Sequence, residues 1–249
     1  MAILWQKTIA DNRYEIRSAG RTRRLYTNGV CHSEFNPAQI FTGSVWDLLI
    51  LPAWFYRRGD IRRILVLGVG GGVVLRQLDR LLEAEEIVGI ESDPVHLYLG
   101  EKFFGGAGPA VRCIEAEARQ WLQDYEGGEF DMIIDDLFVN DGDEPVRAIP
   151  VDGGWAELLL RHLRPGGLLT VNFASHREML DSALVAQGRF RRRFRSRFRL
   201  TTPLLDNCVG AFTGIDAGSR VLRERIMRSP DLERALRRRR IRYRIRQLN

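Results

Sequence analysis

Lysine is nearly absent from this chain of 249 residues: only Lys7 and Lys102 occur, so almost all of the 38 basic side chains are arginine. A bias of that kind runs through the whole chain, and an argument from arginine therefore needs a second observation. Cysteine is also scarce. Cys31, Cys113 and Cys208 lie far apart with no paired spacing, which speaks against a disulfide framework or a cysteine metal site and for buried free thiols. No His, Cys, Asp or Glu cluster has metal-ligand spacing, and neither a G-x-S-x-G elbow nor a Walker sequence occurs, so metal catalysis and nucleotide hydrolysis are disfavoured. Long apolar runs are missing too. The most apolar stretch, Val45 to Tyr56, is broken by Asp47 and Pro52 and falls short of the ~20 residues that span a bilayer. No membrane partner is expected, and the start of the chain lacks the basic-then-apolar pattern of a secretory signal, so the expected location is cytoplasmic.

What is present is ordinary globular material, 45% hydrophobic and 28% charged, long enough for one large domain with a small appendage. The net charge of +6 hides an asymmetry. Residues 1–188 carry 19 basic and 27 acidic side chains, whereas residues 189–249 carry 19 and 5. The carboxyl-terminal part is therefore a separate electrostatic object.

Near the amino terminus, RYEIRSAGRTRRLYTNGVCHS reads as short antiparallel strands, with Asn28-Gly29 supplying a two-residue type I′ turn. Apolar residues at helical spacing then predict a helix within Pro37 to Arg58. From Ile61 the pattern changes to buried apolar runs at 64–67, 87–90, 132–134 and 168–173. Candidate helices lie over Val73–Leu82, Pro94–Phe104, Glu117–Tyr125 and Gly154–Leu163. Such alternation predicts an α/β fold, a doubly wound parallel sheet covered on both faces. Two further strands are expected at Arg195–Leu200 and Asn207–Phe212. The expected organisation is a β-hairpin region with a linking helix at 1–58, a Rossmann-like catalytic domain at 59–215 and an Arg-rich tail at 216–249.

The most informative segment is ILVLGVGGGVVLRQL, where a strand runs through Gly68, Gly70, Gly71 and Gly72 directly into a helix. Glycines at such a junction allow a ligand close to the backbone. Glu91 ends the next strand, 21 residues after Gly70, where a carboxylate accepts hydrogen bonds from ribose hydroxyls. The dinucleotide fingerprint G-x-G-x-x-G would need a small residue at Val73. The spacing here is G-x-G-x-G, which resembles motif I of class I methyltransferases that use S-adenosylmethionine. With that resemblance, Glu117 in IEAEARQWL takes the position of the acidic residue near the adenine amine, and LRPGGLL at 163–169 resembles the family's post-motif turn.

Adding TNGVCHSEF, IVGIESDP and FDMIIDDLF, the chain resembles, in order and over nearly its whole length, the spermidine synthases and their relatives. The resemblance implies a small amino-terminal β domain, a Rossmann-like domain, a sulfonium cofactor and a homodimer. It places His32 where the family has a cofactor-contacting glutamine, and Asp136 at the catalytic base. Adjacent residues of a strand face opposite ways, so of Asp135 and Asp136 only one reaches a pocket, and Asp136 is the choice. The family's second loop aspartate falls on Val139, the aspartate of its glycine turn on Gly71, and its tyrosine-containing acceptor segment on about Phe41, Thr42 and Gly43. A polyamine needs carboxylates or aromatic faces to replace its hydration shell. The expected function is accordingly transfer of a methyl group from S-adenosylmethionine to a small-molecule acceptor. The alternatives are aminopropyl transfer from decarboxylated S-adenosylmethionine, and a noncatalytic polyanion-binding scaffold.

Three signals are weaker. The loop LFVNDGDEPVRAIP is either a mobile acidic lid or an exposed turn. Among His96, His162 and His176, the last has the best location, just past a core strand. RFRRRFRSRFR, at 189–199, holds seven arginines and Phe190, Phe194 and Phe198 at intervals of four. Nucleic-acid binding there is one reading, but the favoured reading is a helix docked by Phe190 and Phe194, its arginines solvated or paired with the acidic first 188 residues.

Overall fold

Four strands open the chain: β1 (Ala2–Ile9), β2 (Asn12–Ala19), β3 (Thr22–Thr27) and β4 (Val30–Phe35), an antiparallel meander in that order. The computed structural model describes residues 1–141, 144–203 and 205–248. At the β3–β4 turn, Asn28 (φ 49°) and Gly29 (φ 86°) take the left-handed pair of angles that this dipeptide predicts. The strand β1 lies outside the sequence-based expectation. It is exposed on both faces along most of its length, so it lacks the alternation by which a half-buried strand is read.

The expected helix in 37–58 is shorter, α1 (Val45–Ile50), continued by a 3₁₀ turn over Leu51–Phe55. Pro52 lacks an amide donor and ends the α-helical pattern. The preceding loop is wound around the buried Asp47 carboxylate, which accepts from the Thr42 amide (3.1 Å), the Gly43 amide (2.7 Å) and Gln77 Nε2 (2.7 Å). Thr42 and Gly43 are thereby committed to structure.

The central sheet then alternates with helices: β5 (Arg63–Leu67), α2 (Val73–Leu81), β6 (Glu86–Glu91), α3 (Pro94–Phe104), β7 (Val111–Glu115), α4 (Ala118–Asp124) and β8 (Phe130–Asp135). A short hairpin follows, β9 (Phe138–Asp141) with β10 (Glu144–Arg147), then α5 (Gly153–Arg161) and β11 (Leu163–Phe173). The remainder is α6 (His176–Asp181), α7 (Ala183–Ala186), α8 (Gly188–Arg191), β12 (Ser196–Thr201), β13 (Cys208–Thr213), α9 (Ser219–Arg228), α10 (Pro230–Arg237) and β14 (Arg244–Gln247). Among the described residues the sheet has eight strands in the order β14-β12-β13-β11-β8-β5-β6-β7, parallel from β11 to β7 and antiparallel from β11 to β14.

Alternate residues of each strand feed two cores. Ile64 and Val66 face α1, α2, α9 and α10, while Leu65 and Leu67 face α4, α5 and the short helices α6 to α8. That two-sided burial explains the unbroken apolar runs.

Two expectations need correction. The segment LRPGG is the irregular start of β11 rather than a turn: the register with β8 shifts between Leu163 and Leu168, and Gly166 takes φ 83°. The 189–199 stretch divides as expected, with the short helix α8 before the strand β12. Phe190 of α8 and Phe194 enter the core on one face of the sheet, whereas Phe198, in β12, stacks on Phe55 (4.5 Å between ring centroids) in the other. A four-residue period cannot persist through a strand, where faces alternate every second residue. Finally, the ion pairs of the arginines beyond residue 188 are with Asp216, Glu224 and Glu233, all in the same part of the chain, among the described residues. No described helix is long and apolar enough to cross a membrane.

Candidate active site

The carboxyl ends of β5, β6 and β8 lie at one level, with Leu67 in register with Ile90 on one side and Asp135 on the other. The chain leaves β5 for β6 and β7, then returns to the opposite side as β8. A ligand crevice forms at such a reversal.

The glycine turn sits in that crevice. Gly68 (φ 84°) lies so close to β8 that a Cβ there would come within 2.3 Å of the Asp136 carbonyl oxygen. Gly70 (φ 53°) lies against the amino-terminal sheet, where a Cβ would meet the His32 carbonyl oxygen at 2.6 Å. Gly72 is the left-handed residue that precedes α2. Side chains are thus excluded by backbone conformation and by space together.

Glu91 pins this turn. Its Oε2 accepts from the amides of Val69 (3.0 Å) and Gly70 (2.7 Å), and its Oε1 from the amide of Asp93 (3.0 Å). Burial still raises its pKa above the ordinary value, against the lowering effect of those bonds. A carboxylate offers about four lone-pair positions, so accepting capacity remains for a ribose hydroxyl. Glu117 caps α4, accepting from the amides of Arg119 (3.0 Å) and Gln120 (2.8 Å).

Asp135 and Asp136 divide as strand geometry requires. Asp135 is fully buried and held by Arg147 Nη2 (2.7 and 2.9 Å) and Trp155 Nε1 (2.8 Å). Asp136 turns to the crevice, where Asn172 Nδ2 donates to its Oδ1 at 2.7 Å, and Asn207 Nδ2 in turn donates to Asn172 Oδ1 at 3.3 Å. Loss of solvation pushes the Asp136 pKa up to about 7, helped by the neighbouring Asp135 charge and opposed by the Asn172 bond and Arg147.

Together these residues enclose a cavity of about 820 Å³. Its lining brings together Gly68, Gly70, Glu91, Glu117, His32 and Asp136; Gly72 stands outside it, as do Phe41, Thr42 and Gly43. His176 is a surface residue away from the cavity, contrary to the ranking of the histidines, and His96 lines it instead. His96 is buried beside His32 (4.8 Å between ring centroids), with Nε2 2.8 Å from Thr27 Oγ1. Desolvation lowers its pKa. Sequence reasoning also missed Glu34, Trp46, Asp93, Asn172 and Asn207, all in the lining. Glu34 had no readable signal, because the register of β3 with β4 shifts at His32 and breaks the alternation by which a shared face would be read.

The lining has one more property. Five acidic residues line it, Glu34, Glu91, Asp93, Glu117 and Asp136, and no lysine or arginine does so among the described residues. Residues 1–188, where acidic side chains outnumber basic ones by 27 to 19, concentrate that sign here, which suits a cationic ligand. Glu34 is partly neutralised from outside by Arg24 (2.5 Å), and Asp93 accepts from the Tyr14 hydroxyl (2.8 Å). No group of three or more His, Cys, Asp or Glu positioned for a metal ion is found among the described residues.

Comparison with known proteins places this geometry. In structure, the chain superimposes on a probable spermidine synthase from Corynebacterium glutamicum with a TM-score of 0.74, covering 92% of this chain and 89% of that one at 17% identity. In sequence, it is 34% identical over 122 residues to a polyamine aminopropyltransferase of Mycobacterium tuberculosis, covering 46% of this chain and 23% of that protein. The chain is thus similar in fold to a spermidine synthase and in part of its sequence to a polyamine aminopropyltransferase. A polyamine aminopropyltransferase of Ralstonia nicotianae is 30% identical over 164 residues, 61% of this chain and 30% of that protein. These matches span less than a third of the curated relatives' own length. A spermidine synthase in complex with the transition-state analogue AdoDATO gives a TM-score of 0.70 over 92% of this chain and 79% of that one at 14% identity. Human methyltransferase-like protein 13 in complex with SAH gives 0.62 over 77% and 91% at 18%. At such identities the structural likeness speaks for the fold. No family profile matches the chain.

Proposed function

We propose that this chain is a transferase that binds decarboxylated S-adenosylmethionine in the acidic cavity and directs its aminopropyl group to an amine. The sign of the cavity carries the reading. Decarboxylated S-adenosylmethionine presents a sulfonium and an ammonium and no carboxylate, which suits a lining with five acidic residues and no lysine or arginine among the described residues. Intact S-adenosylmethionine would bring a carboxylate that finds no cationic partner there, at a desolvation cost. The curated relatives are named as aminopropyltransferases, which also favours this over the methyl transfer expected from sequence. That expectation rested on missing acceptor-binding positions. Glu34 and Trp46 supply a carboxylate and an aromatic face from places the family comparison did not point to.

When bound, the sulfonium supplies an electrophilic carbon. The chain's residues do the rest by position and by proton transfer. The glycine turn admits the adenosyl group to the backbone, Glu91 holds the ribose and Glu117 faces the adenine. Asp136, with its pKa near neutrality, takes a proton from the acceptor ammonium so that the amine lone pair becomes available. Asn172 holds that carboxyl group in place.

Calorimetric titration tests the reading. Decarboxylated S-adenosylmethionine is expected to bind at least about tenfold tighter than S-adenosylmethionine, a difference of ~1.4 kcal/mol, and Glu91→Ala to weaken both. Tighter binding of intact S-adenosylmethionine, together with methyl transfer, would overturn the aminopropyl assignment. A Glu91→Ala variant that binds like wild type would remove the ribose assignment.

A further inference from the structure

The two arginine runs, separated in sequence, meet in space. β12 and β14 pair antiparallel at the edge of the central sheet, with Arg199 opposite Arg246 and Thr201 opposite Arg244. Along β12, Phe198 and Leu200 face the core and Arg197 and Arg199 face the other way; along β14, Ile245 packs inward while Arg244 and Arg246 are exposed. Four arginines therefore share one face of a two-strand edge. Arg191 of α8 and His176 of α6 border them: the charge of Arg191 depresses the Arg197 pKa after burial does, and Arg199 and Arg246 do the same to His176.

This cluster lacks the compensation found elsewhere in the chain. None of Arg191, Arg197, Arg199, Arg244 and Arg246 makes an ion pair with a carboxylate among the described residues, whereas Arg195, Arg220 and Arg237 each do. Of the charged groups of α6, Arg177 and Asp181 lie 3.7 Å apart as a pair of their own, and Glu178 is 3.8 Å from Arg147 Nε and accepts from the Ala174 amide. Arg197 keeps a buried Nη1 without a hydrogen-bond partner. Like charges placed directly opposite across a strand pair are destabilising, so the arrangement opposes its own folding until an anion arrives.

We propose that this face of β12 and β14 is a docking surface for the phosphate backbone of a duplex nucleic acid, separate from the acidic cavity. A regular row of guanidiniums fits a row of phosphates, which they neutralise with release of counterions. The aromatic residues of the run do not take part. Phe190, Phe194 and Phe198 are 2%, 7% and 0% exposed, so no ring of that run is available to stack on an unpaired base, and single-strand recognition by stacking is disfavoured. Contacts to phosphate alone carry no base readout, and binding is independent of sequence.

The test is filter binding of the full chain to a mixed-sequence DNA duplex of about 20 base pairs across a salt series. Four phosphate contacts give a slope of log K against log salt near −3.6, or roughly a 150-fold loss from 50 to 200 mM salt. Arg199→Gln/Arg246→Gln should halve that slope. Arg220→Gln/Arg237→Gln, which changes net charge equally at ion-paired sites, should leave it unchanged. Thermal unfolding provides the second measurement: relief of repulsion should hold or raise the melting temperature of Arg199→Gln/Arg246→Gln, by up to about 2 °C. A slope shallower than −1, equal losses in both double variants, tighter binding to single-stranded than to duplex DNA, or a clear fall in melting temperature for Arg199→Gln/Arg246→Gln would each overturn the proposal.

Discussion

Replacing Asp136 by Asn should make the protein more stable at alkaline pH while removing its proposed catalytic function. The folded protein holds this carboxyl with a pKa near 7 against an ordinary 3.8. A carboxyl raised in the folded state binds its proton more tightly there than in the unfolded chain, so stability is highest below 3.8 and falls as pH rises through 7. At ~1.4 kcal/mol per pKa unit, the group costs ~1.5 kcal/mol at pH 5, where only the unfolded chain has ionised, and ~4 kcal/mol at pH 8. Asparagine does not titrate, and its side-chain oxygen still accepts from Asn172 Nδ2 as Asp136 Oδ1 does at 2.7 Å. The stability advantage of Asp136→Asn should therefore grow by ~2.5 kcal/mol between pH 5 and pH 8, or roughly 5–10 °C in melting temperature. Other titrating groups, including Asp47, whose burial pushes its pKa up to about 6, cancel in the comparison with wild type. Denaturant melts of both proteins at several pH values measure the difference directly. If it is the same at pH 5 and pH 8, Asp136 is not a desolvated carboxyl and its suitability as a base disappears.

Two further outcomes follow from the same strand ends. Gly68→Ala should cost ~3 kcal/mol, because the residue has φ 84° and a Cβ would sit 2.3 Å from the Asp136 carbonyl oxygen; a denaturant midpoint equal to wild type would contradict that packing. Arg147→Met should cost ~3–5 kcal/mol by leaving the Asp135 charge buried and unpaired, and Arg147→Met/Asp135→Asn should recover much of the loss, which a double-mutant cycle in urea would reveal.

The parts of the fold visible in sequence were those where one physical signal dominated. The buried strands of the parallel sheet announced themselves as apolar runs because both of their faces are covered. The helix α3 (Pro94–Phe104) has the bounds expected from sequence, and the structure adds its Asp93 cap. The strand β1, exposed on both sides, gave no pattern, whereas the strand expected at Arg195–Leu200 is present as β12 (Ser196–Thr201). At the site, Gly68, Gly70 and Glu91 stood out because they punctuate strand ends, and Asp136 was singled out by the family resemblance. The charge of the cavity did not stand out, since Glu34, Asp93 and Glu117 come from separate elements and only folding gathers them on one lining. The pairing of β14 with β12 was equally hidden, because a strand of alternating arginines resembles a solvated tail until its partner is known.

The seam at Gly70, where the backbone of the turn rests on the His32 carbonyl, settles which rim of the chamber has latitude. Even a methyl group would wedge the amino-terminal meander away from the turn, so that wall is closed to trial and error. Phe138, Val139, Pro145, Leu205 and Asn207 line the chamber as well, and among the described residues none of them lies against the turn glycines in that way. A lineage exploring new acceptors would therefore be expected to rewrite those positions and leave the nucleoside's side alone.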